Sequence, residues 1–136
     1  MRPFSFPKSE RLCSKKTIDS IFECGLSVFS YPIKVNYLIE PFQQDQALAK
    51  ALFVVPKKKF KRAVHRNAIR RKMREAYRLN KHTLAPWCNE NNIQVSIAFI
   101  YIASEMLSFE QIQLAIVKSF SLIKQQHNKH QPKSAQ

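Results

Sequence analysis

The chain has 136 residues, of which 23 are Lys or Arg and 9 are Asp or Glu, for a formal net charge of +14. With 45% hydrophobic and 11% aromatic residues it can bury a real core, which excludes a disordered basic tail and leads us to expect one compact domain. Such a charge balance belongs to a binder of polyanions, with nucleic acid the leading partner and an anionic membrane surface or an acidic protein the alternative.

The opening MRPFSFPKSERL lacks the apolar core of a secretory signal, and the most apolar stretch, VSIAFIYIA, is about half a membrane span. A cytoplasmic protein without membrane contact is expected. Ser14 can cap a short helix over KKTIDSIFEC, in which Ile18, Ile21 and Phe22 fall at i, i+3 and i+4 and Gly25 offers a left-handed stop. IKVNYLIE then alternates, with Ile33, Val35 and Tyr37 on one side and Lys34 and Asn36 on the other. After the polar connection PFQQDQ comes ALAKALFVV. Two antiparallel strands are expected here.

Pro56 ends the second strand, and Lys57, Lys58 and Lys59 lead into RAVHRNAIRRKMREAYR, which has seven basic residues and one acid, Glu75. Projected at about 100° per residue, Ile69, Met73, Ala76 and Tyr77 share one face of a helix, while Asn67, Arg70, Arg71, Arg74, Arg78 and Lys81 share the other. A solvated face would interleave both signs, so this one implies a counter-charge from outside. The guanidinium groups suit bidentate phosphate recognition. Glu75 is expected to pair locally with Arg71 or Arg78. On charge alone the lysines at 57 to 59 read equally as loop solubilisers or as phosphate contacts.

The basic helix should end near His82, with Pro86 marking the break and WCNENN a polar loop. IQVSIAFIYIA reads as a central strand. Ser108 and Gln111 form a capping box that opens a last helix, with Ile112, Ala115, Ile116, Ser119, Leu122 and Ile123 as its buried stripe. The order is α-β-β-α-β-α, an α+β sandwich over residues 1–124. Residues 125–136 read as a polar, frayed tail in which His127 and His130 are solvated. Cys13, Cys24 and Cys88 are odd in number and contain no C-x-x-C pair, which favours packing over a disulfide or zinc role.

VVPKKKFKRAVHRNAIRRKMREAYR resembles the arginine-asparagine-arginine signature of the bacterial ribonuclease P protein family, in which a strand ends in a lysine pair and an Ala-Val-x-Arg-Asn-Arg-x-Lys-Arg helix follows. Here that helix reads Ala63-Val64-His65-Arg66-Asn67-Ala68-Ile69-Arg70-Arg71. ERLCSKKTIDSIFECGLSV is similar to the family's Arg-Leu opening, short helix and glycine turn, so the likeness covers roughly residues 10–124. Ala68 replaces the usual Arg, Ile18 replaces the first of two aromatics, the glycine before Ala-Val is missing, and one residue is inserted there.

The resemblance implies a magnesium-dependent ribonucleoprotein in which a partner RNA cuts the 5′ leader from precursor tRNA and holds most of the Mg2+ together with the substrate. It implies that Lys57, Lys58, Arg66, Asn67, Arg70, Arg71, Arg74 and Arg78 bind RNA, and that a cleft near Ile18, Phe22 and Tyr37 holds the single-stranded leader. It also implies a left-handed β-α-β crossover around the basic helix and no obligatory protein partner. Independently, a basic groove beside flat side chains is what single-stranded RNA needs, and Phe22 and Tyr37 are the candidates, with plain core the competing role. Tyr37 is favoured because its polar tip tolerates a wet groove.

No catalytic residue and no metal ligand is assigned to this chain. Its nine acids are scattered, whereas metal-assisted phosphodiester cleavage needs clustered carboxylates or histidines. The alternative is a ribosomal or other structural RNA- or DNA-binding protein. A helix-turn-helix would need a helix just before the basic one, where ALFVV reads as a strand.

Overall fold

The computed structural model describes residues 15–43 and 48–130; Cys13, Ser14 and the Arg-Leu pair lie outside them. Among the described residues four strands and four α-helices follow in the order α1 (Lys15–Cys24), β1 (Leu26–Ser30), β2 (Ile33–Pro41), β3 (Ala49–Val54), α2 (Ala63–Asn80), α3 (Leu84–Asn91), β4 (Ile93–Tyr101) and α4 (Phe109–His130), with a 3-10 turn at Lys81–Thr83 joining α2 to α3. The α+β sandwich is found, with β1 and α3 added to the expected order. The sheet runs β1-β2-β4-β3. Its β1–β2 and β2–β4 pairs are antiparallel, and β3–β4 is parallel. The two strands expected as an antiparallel pair therefore do run in opposite directions, but β4 lies between them.

Strand alternation sends one side chain of every two to each face. Ile33, Val35 and Tyr37 of β2, Ala51 and Phe53 of β3, and Val95, Ile97, Phe99 and Tyr101 of β4 form the main core beneath α2, α3 and α4. Phe53 stacks on Phe99 with ring centroids 5.4 Å apart, and Tyr77 of α2 meets both edge-on. The opposite face carries only a small cluster, Ile21 of α1 with Ala98, flanked by Ile18, Leu38 and Leu52.

Gly25 ends α1 by close approach and not, as expected, by a left-handed turn, since no glycine has positive φ. A Cβ there would stand 2.4 Å from the Ile21 carbonyl oxygen and 2.6 Å from that of Tyr37. Only a residue without a side chain lets α1 meet β2 so tightly.

Pro86, read as a helix break, lies inside α3, and WCNENN is largely helical. Its ring sits in the first turn, where backbone N–H groups lack an intrahelical partner in any case. Trp87 and Cys88 then drive the docking, both buried, and Asn92 closes the helix in the left-handed region at φ 54. Burial pushes the Cys88 thiol up to about 11, whereas Cys24 is exposed and has no packing role.

The capping box of α4 forms, with Gln111 N–H donating to Ser108 Oγ at 3.2 Å and Ser108 N–H donating to Gln111 Oε1 at 3.1 Å. The helix does not fray at Lys124; it continues to His130 because its last turns are tied down. The Tyr37 hydroxyl donates to Gln126 Oε1, Lys124 Nζ donates to the Thr83 carbonyl at 3.2 Å, and Trp87 meets His127 edge-on with centroids 5.4 Å apart. His127, expected to be solvated, is only 5% exposed.

Burial lowers the His127 pKa below its ordinary 6.5, so the fold favours the neutral imidazole. The unfolded chain then binds the proton first, and the stability present above that ordinary value is lost as pH falls below it. The thermal midpoint is expected to fall between pH 7.5 and pH 5 by more in the wild type than in His127→Gln. Equal slopes in the two melting series would exclude the imidazole as the source.

Candidate nucleic-acid interface

On α2 the two faces separate as the periodicity predicts. Ile69, Met73, Ala76 and Tyr77 have no exposed surface, and this apolar side packs against β3 and α4. Asn67, Arg71 and Arg74 are exposed on the other side, and Arg70, Arg78 and Lys81 are half-buried there.

The cations are not equivalent. Arg78 is bound to Glu75, with Nε to Oε1 at 3.1 Å and Nη2 to Oε2 at 2.5 Å, and this hydrogen bonding holds the Glu75 carboxyl below its usual value. Arg70 donates to Asn67 Oδ1 at 2.8 Å, and Lys72 Nζ to the Leu107 carbonyl at 3.0 Å. Arg66 Nη1 donates to the carbonyls of Phe60 and Lys61. Arg71 and Arg74 point outward with no hydrogen bond or ion pair among the described residues. The side chains of the exposed Lys57, Lys58, Lys59, Lys61 and Arg62, which precede the helix, likewise make no hydrogen bond or ion pair among the described residues. No acid lies in the first turn of α2, so the positive end of its dipole reinforces this group.

The sheet face opposite the main core is only partly covered. α1 sits over Leu38, Leu52 and Ala98. Beside it the register places Phe29, Lys34, Ile100 and Val54 in one row across β1, β2, β4 and β3, about 14 Å from end to end at three strand spacings. Phe29 is 61% exposed, and Phe22 on the outer side of α1 is 48% exposed. In the next row, Asn36 Oδ1 is buried without a hydrogen-bond partner. The Val54 end of the row leads, through Val55 and Pro56, directly into the lysine turn.

Tyr37, favoured in the sequence as part of a flat binding surface, is not there. It is fully buried on the main-core face, its hydroxyl bound to Gln126, and burial pushes its pKa up to about 12. Its alternation with Ile33 and Val35 already placed it on the inner side. Ile18 is half-buried against the small cluster, while Phe22 stays accessible. Phe29 was missed because β1 has only five residues, too few for a pattern to stand out. Its signal is pairing: it lies directly opposite Lys34, a residue the alternation already turned outward.

Among the described residues no three of His, Cys, Asp and Glu converge to hold a metal, and no helix is long and apolar enough to cross a membrane.

The family model described as Ribonuclease P matches residues 6–124. The ribonuclease P protein component of Porphyromonas gingivalis is 39% identical over 116 residues, 85% of this chain and 84% of that protein. That of Chlorobium phaeobacteroides is 32% identical over 117 residues, 81% of this chain and 80% of that protein. The solved structure of Staphylococcus aureus RNase P protein superposes with a TM-score of 0.64 at 23% identity, covering 86% of this chain and 97% of that one, a likeness of fold.

If Tyr37 is a core residue, Tyr37→Phe should cost about 1 kcal/mol, the worth of its hydroxyl's bond to Gln126, and Tyr37→Ala about 3–5 kcal/mol, as for a large core aromatic. Denaturant unfolding checks both; a Tyr37→Ala loss under 1 kcal/mol would return the residue to the surface.

Proposed function

This chain belongs to the ribonuclease P protein family, and from that premise we propose that it binds the catalytic RNA through its free cations and the precursor tRNA leader across the open sheet face. As the protein component it is part of an endoribonuclease ribonucleoprotein that acts in tRNA processing. The reaction we assign to the assembly is removal of the 5′ leader in the cytoplasm.

One observation carries this division of labour: the exposed cations of the turn from Lys57 to Arg62 follow directly on the Val54 end of an uncovered row containing an exposed aromatic, Phe29, while Arg71 and Arg74 stand exposed on the outward face of α2. Phosphates need the first and unstacked bases need the second. Asn67 and Arg70 extend the cationic side, and Arg78 joins it as one half of an ion pair with Glu75. In the leader cleft, Phe29 takes the place the sequence had suggested for Tyr37, with Phe22 and Ile18 on the helical side.

The family is generally Mg2+-dependent, but the donor set described here does not suit a protein-held ion. Carboxylates that could bind the hard cation are scattered, and the nearest acid to the stripe, Glu75, is taken by Arg78. We therefore assign the ions to the partner RNA and the substrate, and no chemical step to a side chain of this protein. Its contribution is binding and placement, and it needs no second protein for either.

The test is reconstitution. Purified protein, catalytic ribonuclease P RNA and 5′-labelled precursor tRNA are combined at low magnesium, with each component also omitted in turn. Leader removal at one site only when protein and RNA are both present is expected. Cleavage by the protein alone would overturn the reading.

A second measurement addresses the open face. Phe29→Ala and Phe22→Ala should each weaken binding of precursor tRNA relative to mature tRNA in the assembled particle, by about 1–3 kcal/mol for a lost stacked base. Only the precursor carries the single strand, so the double difference removes the common electrostatic part. Both rings are exposed, and melting points close to wild type are expected. A double difference near zero in folded variants would remove these residues from the cleft.

A further inference from the structure

The turn between β3 and α2 carries five cations in six residues, Lys57, Lys58, Lys59, Lys61 and Arg62. Like charges at that density push a flexible chain apart, yet the turn is closed. The amides of Lys59 and Phe60 both donate to the Pro56 carbonyl, at 3.2 and 3.4 Å. The Phe60 ring is buried, with its centroid 5.9 Å from that of Tyr101. On the other side a single nitrogen, Nη1 of Arg66, reaches the carbonyls of Phe60 and Lys61 at 2.7 and 2.8 Å. Both protons of that nitrogen are therefore turned into the protein's own backbone.

We propose that Arg66 is a positioning residue: its guanidinium clamps the Phe60 and Lys61 carbonyls so that the turn from Lys57 to Arg62 presents its charges as one preformed phosphate site. This rests on the RNA-binding reading above, and it changes the role of Arg66 within that reading from an RNA contact to the support of other contacts. The chemistry favours arginine for the task. A lysine is a point donor on a flexible stem, whereas a planar guanidinium holds two acceptors in fixed relation. The part-buried Phe60 carbonyl would also lose its donor without the guanidinium. Phe60 anchors the turn to the core, Arg66 ties it to the first turn of α2, and the lysines face outward between the two. The turn charges then act as a set, and losing the clamp removes several phosphate contacts together.

Binding of the full chain to catalytic ribonuclease P RNA is measured across a potassium chloride series for wild type, Arg66→Lys, Arg66→Met and, for comparison, Arg74→Ala, whose side chain is free. One lost phosphate contact flattens the slope of log affinity against log salt by about 0.7–0.9. Arg74→Ala should lose about one such contact, and both Arg66 variants about two or more, although Arg66→Lys keeps the charge. Lys58→Ala should weaken the wild type but add little to Arg66→Met. In the free protein, hydrogen exchange at the amides of Lys59 and Phe60 should be faster in both Arg66 variants. Arg66→Lys, which keeps stem and charge, carries the test should Arg66→Met fail to fold.

Wild-type affinity in Arg66→Lys, or additive losses from Arg66→Met and Lys58→Ala, would make Arg66 an ordinary phosphate contact and overturn the proposal. So would unchanged exchange at Lys59 and Phe60. If the wild type itself shows no salt-dependent binding, it is the RNA-binding reading that fails, and the exchange rates still decide the clamp.

Discussion

The parallel pairing of β3 with β4 governs the rest of the molecule. A parallel pair cannot be closed by a hairpin, so the chain must travel back along the sheet before the second strand begins. That return contains the lysine turn, α2 and α3, all between Val54 and Ile93. Because the crossover must pack on the sheet, α2 turns Ile69, Met73, Ala76 and Tyr77 inward, and its arginines are left facing out. The charge of the basic face is thus held in place by the burial of the opposite face. The same crossover brings the lysine turn to the end of β3, where the open row of the sheet also ends.

Much of this was legible in the sequence, where one local pattern sufficed. The 3.6-residue separation on α2, the alternation of β2 and the capping box of α4 each lie within a single element, and the structure keeps them. Where two elements meet, the sequence was a weaker guide. Gly25 was read as a helix stop of positive φ, but what requires glycine is the carbonyl of Tyr37 on another element. His127 and Gln126 looked like tail because their neighbours in sequence are polar, whereas their partners, Trp87 and Tyr37, lie some 40 to 90 positions earlier. Pro86 misled through a rule that applies to helix interiors and not to first turns.

The candidate site divides along the same line. Which residues are cationic could be read directly; which cations are available could not. Arg66, Lys72 and Arg78 are each engaged by a carbonyl or a carboxylate of the protein itself. A formal charge of +14 therefore overstates the number of groups oriented toward a partner, even though every one of them contributes to the long-range field. Tyr37 carries the corresponding lesson for aromatics: a phenol suits a wet groove, but side-chain alternation decides which face it occupies, and alternation outranks residue type.

The layout also bears on which form of RNA the surface suits. In a double helix the phosphates are outside and the flat faces of the bases are stacked within, so a duplex could use Arg71, Arg74 and the lysine turn but would leave Phe29 unpartnered. A single strand exposes both. Row geometry adds a constraint: from Phe29 to Val54 the open face is about 14 Å long, room for a few unstacked nucleotides and too short for a turn of duplex. The stripe on α2 differs in kind, since Arg71 and Arg74, exposed and three positions apart on a helix of 18 residues, offer charge without a flat side chain beside it. The two surfaces of this small domain therefore offer different groups, guanidinium and ammonium on the helix and turn and an exposed ring beside Lys34 on the sheet, and no side chain belongs to both.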